Sequence, residues 1–277
     1  MDVIVTAADL AAELDADPDR LVLLDVRWSL GGPPGHDEYL EGHLPGAVFV
    51  DLDHELAAPP SPERGRHPLP EVADLQAAAR RWGIDDDSRV VAYDASGNLA
   101  AARAWWLLRW AGHDDVRLLD GGLAAWTATG AGLETRETIP HGGQVSFDGA
   151  GRLPTVELDA VPGIARDGLL LDARAPERFR GEVEPIDPKA GHVPGARNLP
   201  TGSLLDAHGR FLPREELRAR FTAVGADGGD RLTASCGSGV TAAHLLAAAS
   251  IAGLEGALYP GSWSQYSAHD LPVATGG

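Results

Sequence analysis

The residues best suited to chemistry in this sequence surround its one cysteine, Cys236. The segment Arg-Leu-Thr-Ala-Ser at 231–235 leads into Cys-Gly-Ser-Gly-Val-Thr at 236–241, which passes into an Ala-rich stretch of helical character. This order predicts a strand, a glycine loop and a helix start. Backbone N–H groups of such a loop and the positive end of the helix dipole favour a thiolate over a thiol. The same amides would stabilise a persulfide anion.

An inert, buried residue is the commoner role for a single cysteine. The surroundings of Cys236 favour a reactive one, because a core cysteine needs neither flanking glycines nor a helix start. One cysteine also excludes an internal disulfide and a metal site built from several cysteines.

The composition is that of a globular protein of 277 residues with a net charge of −18. This length suggests two domains, and the acidic surface makes nucleic acid and anionic membranes unexpected partners. The N-terminus lacks a basic segment followed by a long apolar one, and the longest uncharged stretch, 235–254, is too weakly apolar to span a bilayer. We therefore expect a soluble, cytoplasmic protein.

Four segments of the first half return, in the same order, in the second half. The pairs are Leu23–Arg27 with Leu170–Arg174, Gly42–Ala47 with Gly191–Ala196, Arg89–Ala101 with Arg231–Ala243, and Gly121–Trp126 with Gly261–Tyr266. Four ordered matches predict two homologous domains, residues 1–140 and 154–277, joined by a linker at 141–153.

Within the repeats, short apolar runs alternate with helical patterns. The predicted strands include 21–25, 47–50, 90–93 and 117–119, and the predicted helices include 7–14, 75–82, 99–111 and 240–252, the last closed by Gly253. This alternation predicts an α/β fold in which each domain is a parallel sheet flanked by helices on both faces. The first repeat has Asp94 where the second has Cys236, so only the second can perform thiolate chemistry.

The loop Cys-Gly-Ser-Gly-Val-Thr-Ala at 236–242 resembles that of two-domain sulfurtransferases of the rhodanese superfamily, and is most similar to the 3-mercaptopyruvate sulfurtransferase branch. Both Asp-x-Arg motifs, both Gly-His-x-Pro-Gly-Ala motifs, Asp120-Gly121-Gly122 and Gly261-Ser262-Trp263 extend the resemblance over nearly the whole chain. It implies that Cys236 takes sulfur from a small anionic donor, forms a persulfide and passes the outer sulfur to a thiol, a thioredoxin or cyanide. It implies no metal and no organic cofactor.

Several residues of the site follow from the resemblance. The loop residues Gly237, Ser238, Gly239, Val240 and Thr241 are expected to bind substrate, and the family's first substrate-binding arginine aligns with Arg178. Arg180 is a further candidate, whereas Arg174 is expected to form a structural ion pair within its Asp-x-Arg motif. The branch usually carries a second arginine near 185–187, where this chain has none, and Lys189 or Arg180 are the candidates to replace it.

The resemblance also implies a relay of Ser238, His67 and Asp53 that accepts the proton of a donor thiol. Such a relay would require the first domain to reach across to the second. The two histidines of the Gly-His-x-Pro-Gly-Ala motifs, His43 and His192, occur in both repeats although one lacks a nucleophile, so a structural role is predicted for them.

Three alternatives stay open at this point. Thiosulfate is a rival donor because the second arginine is missing, although the neutral residues Gly237 and Ser238 in the loop favour mercaptopyruvate. A cysteine phosphatase would need an arginine six residues after the cysteine, where Ala242 stands. A persulfide carrier or binding module without turnover is the third.

Overall fold

The computed structural model describes residues 2–226 and 232–277, which divide into two compact units. The first unit comprises 1–57, 70–152 and 206–211, and the second comprises 58–69, 153–205 and 212–277. Arg231, where the strand before the cysteine was expected to begin, lies outside the described residues. The predicted domain limits at 140 and 154 stay a prediction.

The first unit contains a five-stranded parallel sheet. Its strands lie in the order β1-β5-β4-β2-β3, so β4, which precedes the loop at Asp94, is central. The strands are β1 (Ile4–Val5), β2 (Leu21–Asp25), β3 (Val48–Phe49), β4 (Arg89–Tyr93) and β5 (Val116–Leu119). The helices are α1 (Ala7–Ala16), α2 (Gly35–Glu41), α3 (Leu52–Glu55), α4 (Val72–Arg81), α5 (Ala101–Ala111) and α6 (Gly122–Thr127), with a 3₁₀ turn at Pro18–Arg20.

The second unit repeats this plan with four parallel strands in the order β7-β6-β8-β9. The strands are β6 (Leu169–Asp172), β7 (Arg197–Asn198), β8 (Leu232–Ser235) and β9 (Gly256–Leu258). The helices are α7 (Val161–Asp167), α8 (Pro176–Phe179), α9 (Arg214–Ala223), α10 (Val240–Ile251) and α11 (Ser262–Tyr266), with a 3₁₀ turn at Thr201–Leu204. These two parallel sheets with their helices confirm the predicted α/β fold.

The apolar runs of the sequence form the cores. One cluster in the first unit includes Leu10, Leu23 and Tyr93, and one in the second includes Leu170, Tyr259 and Trp263. Both strands that precede the candidate loops are almost fully buried, which explains the continuous apolar run of β4 and the small side chains of β8, Leu-Thr-Ala-Ser.

The helix boundaries follow local chemistry. Thr6 caps α1 by accepting a hydrogen bond from the backbone N–H of Asp9 at 3.1 Å. The predicted end of α10 is close to the observed one, since Gly253 follows Ala252 with a φ of 74°.

Equivalent polar contacts recur in the two repeats. Arg27 binds Asp25, and Arg174 binds Asp172 at 2.7 Å, so the structural ion pair expected for Arg174 is present. His43 and His192 are buried, and their Nδ1 atoms lie 2.8 and 2.7 Å from the carbonyls of Tyr39 and Phe179, on whose rings they stack. Because both copies make the same contact, a structural role for these histidines is confirmed.

No helix among residues 2–226 and 232–277 combines the length and the apolar character needed to cross a bilayer.

Candidate active site

The cysteine lies where β8 ends and α10 begins. Its Sγ accepts hydrogen bonds from the backbone N–H groups of Ser238 at 3.4 Å and Gly239 at 3.1 Å. The Cys236 side chain is buried, with the residue 2% exposed. Two backbone amides thus point at the sulfur where a twelve-residue helix begins, which is the strand, loop and helix order that the sequence predicted.

A glycine is required at position 239 for this loop to close. Gly239 has a φ of 81°, and a Cβ built there would lie 2.5 Å from the carbonyl oxygen of Pro260. An L-residue would be strained by the φ value and would collide with that oxygen.

The loop rests on the start of α11. The backbone N–H of Cys236 donates to Oγ of Ser262 at 3.0 Å, and the N–H of Trp263 donates to the carbonyl of Cys236 at 2.9 Å. The N–H of Ser264 likewise donates to the carbonyl of Gly237 at 2.8 Å. These bonds hold the cysteine backbone on both sides, so the sulfur has a defined direction.

A segment from the first half of the sequence, Ala58–Leu69, belongs to the second compact unit. Within that unit, the backbone N–H of Arg66 donates to Oγ of Ser264 at 3.0 Å. Gly65 has a φ of 87°, and a Cβ there would lie 2.7 Å from the carbonyl oxygen of Gly261. This close approach fixes the segment against the support of the cysteine loop.

The segment places an imidazole on the cysteine loop. Nδ1 of His67 lies 2.7 Å from Oγ of Ser238, and both residues are buried. Two of the three residues expected to form the relay are therefore in hydrogen-bond contact. A histidine hydrogen-bonded to a hydroxyl can accept or return a proton near neutral pH.

The third expected member, Asp53, lies in the first unit. It is on α3, where its carboxylate accepts a hydrogen bond from Nε1 of Trp28 at 3.0 Å. Its place in the relay stays a prediction.

Two guanidinium groups flank the loop. A Cβ built on Gly237 would lie 3.0 Å from Nη2 of Arg66 and 3.5 Å from Nη1 of Arg178. Both cations therefore lie beside the residue that follows the cysteine, where an anionic group can bind them. Arg178 was expected from the sequence, but Arg66 was not, although it directly precedes His67.

The two candidates for the missing second cation, Lys189 and Arg180, each bind another group. Nζ of Lys189 donates to the carbonyl of His269 at 2.6 Å, and the guanidinium of Arg180 is bound to the exposed carboxylate of Glu182 at 2.7 Å. Arg66, which lies beside Gly237, is a further candidate for the second cation that the sequence analysis did not name. At the start of α10, Val240 is buried and Thr241 is partly exposed.

Behind these groups lies a network of buried ion pairs. Nη2 of Arg178 is 2.6 Å from Oε1 of Glu184 and 3.3 Å from Oδ2 of Asp187. Burial lowers the pKa of Arg174, but the charges of neighbouring Asp172, Glu184 and Cys236 outweigh that effect, so its pKa is raised. A charged guanidinium therefore lies within electrostatic range of Cys236 in the second unit, stacked over the ring of Trp263 at 4.7 Å.

Within residues 2–226 and 232–277, no three His, Cys, Asp or Glu side chains are grouped so that they could hold a metal ion.

Comparisons with known proteins place this chain in a family. The family described as "Rhodanese-like domain" matches residues 6–129 and 159–269. The chain is 48% identical over 277 residues to "Putative thiosulfate sulfurtransferase SseB" of Mycobacterium tuberculosis, covering 99% of this chain and 97% of that protein. It is 49% identical over 284 residues to "Probable 3-mercaptopyruvate sulfurtransferase" of Pseudomonas aeruginosa, covering 99% and 98%.

Among solved structures, the chain is similar to SseA from Escherichia coli, described as a 3-mercaptopyruvate sulfotransferase. The TM-score is 0.83 at 34% identity, and the match covers 95% of this chain and 100% of that one.

Two parallel-sheet units, with a buried cysteine bound by loop amides in the second, define a two-domain α/β protein with one candidate nucleophile at the start of a helix. The family matches cover most of the chain, and the relatives align along almost their entire length. The chain belongs to the rhodanese family, and it is a sulfurtransferase.

Proposed function

We propose that this enzyme transfers sulfur from 3-mercaptopyruvate, through a persulfide on Cys236, to a thiol, a thioredoxin or cyanide. The observation that carries the proposal is the 2.7 Å contact between Nδ1 of His67 and Oγ of Ser238 in the loop of the nucleophile. A proton-accepting pair beside the sulfur is useful to a donor that brings a thiol proton. Thiosulfate has no such proton to lose.

The first step binds and orients the donor. The guanidiniums of Arg66 and Arg178 hold the donor carboxylate beside Gly237, and the amides of the loop 237–241 face the transferred sulfur. Arg180 has weaker support as a binding residue, because its guanidinium is already bound to Glu182.

In the second step, the Cys236 thiolate attacks the sulfur of 3-mercaptopyruvate. An S–S bond forms and the C–S bond breaks, with its electron pair passing to the carbon as the enolate of pyruvate. The thiol proton moves through Ser238 and His67 and returns to that carbon, which releases pyruvate. The persulfide anion that remains is stabilised by the amides of Ser238 and Gly239.

In the third step, an acceptor attacks the outer sulfur. With cyanide, a C–S bond forms, the S–S bond breaks, thiocyanate leaves and the Cys236 thiolate is restored. Asp53 is the proposed partner that orients His67, on the strength of its sequence match. We place the reaction in the cytoplasm, because a reactive thiol in a chain with one cysteine suits a reducing compartment.

Thiosulfate is the second candidate donor. The Mycobacterium tuberculosis relative carries thiosulfate in its name, at nearly the same identity as the Pseudomonas aeruginosa relative that carries 3-mercaptopyruvate. The two arginines beside Gly237 would bind a sulfonate as well as a carboxylate.

The proposal is tested by mass spectrometry and initial rates. Incubation with 3-mercaptopyruvate alone should add one sulfur atom to the wild-type chain and none to Cys236→Ser. With cyanide present, 3-mercaptopyruvate should give faster turnover than thiosulfate. The opposite order would establish the thiosulfate reaction, and loading without repeated transfer would establish a carrier.

A further inference from the structure

The two arginines beside the cysteine loop share one buried carboxylate. Oδ1 of Asp187 contacts Nη1 of Arg66, and Oδ2 lies 3.3 Å from Nη2 of Arg178. The Asp187 side chain is 3% exposed, whereas those of Arg66 and Arg178 are 23% and 17% exposed. The carboxylate therefore lies behind the guanidiniums, which reach the surface that a donor meets.

The local charges of this network balance. Three guanidiniums face three carboxylates, namely Arg66, Arg174 and Arg178 with Asp172, Glu184 and Asp187. Two arginines beside Gly237 would by themselves attract the anion with the greatest charge most strongly. Their buried counter-charges reduce that attraction.

We propose that Asp187 is a positioning residue that also sets donor specificity, by holding Arg66 and Arg178 beside Gly237 while disfavouring donors with two negative charges. The inference rests on the proposed function for the assignment of these arginines to the donor. It accounts for a site that prefers a monoanionic carboxylate, such as 3-mercaptopyruvate with its thiol protonated, to dianionic thiosulfate.

The size of the effect follows from Coulomb's law. The repulsion between Asp187 and a bound anion is proportional to the anion's charge, so the factor for a dianion is the square of that for a monoanion. If loss of the Asp187 charge tightens binding of a monoanion about threefold, it should tighten binding of a dianion about ninefold. A purely structural role would change both affinities by the same factor.

The experiment measures anion binding without turnover, so its outcome is separable from that of the proposed reaction. Isothermal titration calorimetry would give the dissociation constants of pyruvate, a monoanion, and inorganic sulfate, a dianion. The proteins are the wild type, Asp187→Asn and Glu182→Gln. Glu182 is the matched control, because it lies in the same loop and is paired with Arg180 at the surface.

Asp187→Asn should tighten sulfate about three times more than it tightens pyruvate, and Glu182→Gln should leave the ratio of the two constants at the wild-type value. An equal change for both anions, a weakening of sulfate, or no binding of either anion to any of the proteins would overturn the proposal. Asp187→Glu retains the negative charge and replaces Asp187→Asn in the experiment if the asparagine variant does not fold. It should keep the wild-type ratio, and a shift toward sulfate would equally overturn the proposal.

Discussion

Asp94 and Cys236 hold the same position in the two repeats, and each accepts hydrogen bonds from the amides of the loop that follows it. The Asp94 carboxylate accepts four such bonds at 2.7–3.1 Å, from the N–H groups of Ser96, Asn98, Ala100 and Ala101. The Cys236 sulfur accepts two, at 3.4 and 3.1 Å. In the first repeat the loop amides thus bind the carboxylate of Asp94, and in the second they bind the sulfur of Cys236.

Replacement of Asp94 should lower the stability of the fold and leave the sulfur loading of Cys236 unchanged. Asp94→Ala leaves four amides without their carboxylate, two of them at the start of α5, and should lower the free energy of unfolding by about 3 kcal/mol or more. Sulfur loading of Cys236, followed by mass spectrometry well below the melting temperature, should be unchanged. Asp148→Ala, at a side chain that is 87% exposed, is the control. Unfolding of Asp94→Ala at the wild-type denaturant concentration would contradict the structural role.

Loss of Arg66 should weaken donor binding. Because its guanidinium flanks Gly237 together with that of Arg178, Arg66→Ala should raise the donor KM about tenfold with a smaller effect on kcat. Arg66→Lys should fall between the two, since an ammonium keeps the charge and loses the planar fork. Steady-state kinetics with both donors provides the measurement.

The neighbouring Arg64 is the control for this series. It lies two residues away in the same segment, is exposed, and donates to the carbonyl of Leu69. A rise in KM for Arg64→Ala equal to that for Arg66→Ala would mean that segment packing, and not the guanidinium beside the loop, supports donor binding.

Removal of the Ser238 hydroxyl should distinguish the two donors. Ser238→Ala breaks the contact with His67 and should lower kcat for 3-mercaptopyruvate by about 100-fold, because the thiol proton loses its acceptor. Loading by thiosulfate, which transfers no proton, should change less than about twofold. Comparison of single-turnover rates with each donor gives the result. An equal loss with both donors would show that the hydroxyl holds the loop and does not relay a proton.

The KM for thiosulfate should depend on the protonation of Asp187. Burial raises the pKa of this carboxyl, with repulsion from Glu184 adding to the rise and the charges of Arg66 and Arg178 opposing it. Since the folded-state pKa is the higher one, the folded protein takes up this proton first as the pH falls. This group therefore contributes stability at low pH that is lost as the pH rises through its folded pKa.

The same proton removes a negative charge behind the arginines. The thiosulfate KM should therefore decrease as the pH falls from neutrality toward the ordinary carboxyl range, and the decrease should be smaller in Asp187→Asn. Other groups that titrate in this range are present in both proteins, so the difference between the two profiles isolates Asp187. Identical profiles would exclude its titration as a source of the pH dependence.

The features predicted from the sequence are those that depend on a local pattern of residues or on the internal repeat. The four repeated segments indicated the two-fold plan, and the glycine loop between a buried strand and an Ala-rich helix indicated where Cys236 would be held. Arg66 was not predicted, because its place beside Gly237 comes from a tertiary contact with a loop about 170 residues away in the sequence. The contact of His67 with Ser238 spans the same distance along the chain. The resemblance implied a second arginine near 185–187 and pointed instead to Lys189 or Arg180, whose cationic groups bind a carbonyl and the carboxylate of Glu182.

Because Ala58–Leu69 belongs to the second compact unit, a cut of the chain between the two repeats would not separate the two units cleanly. A fragment that starts at residue 154 would keep the sulfur, its amides and Arg178, yet it would lack the histidine and the second guanidinium, which the segment brings into the second compact unit. A cut between the two repeats would therefore separate Cys236 from the two side chains, Arg66 and His67, that the first half of the sequence brings to the cysteine loop.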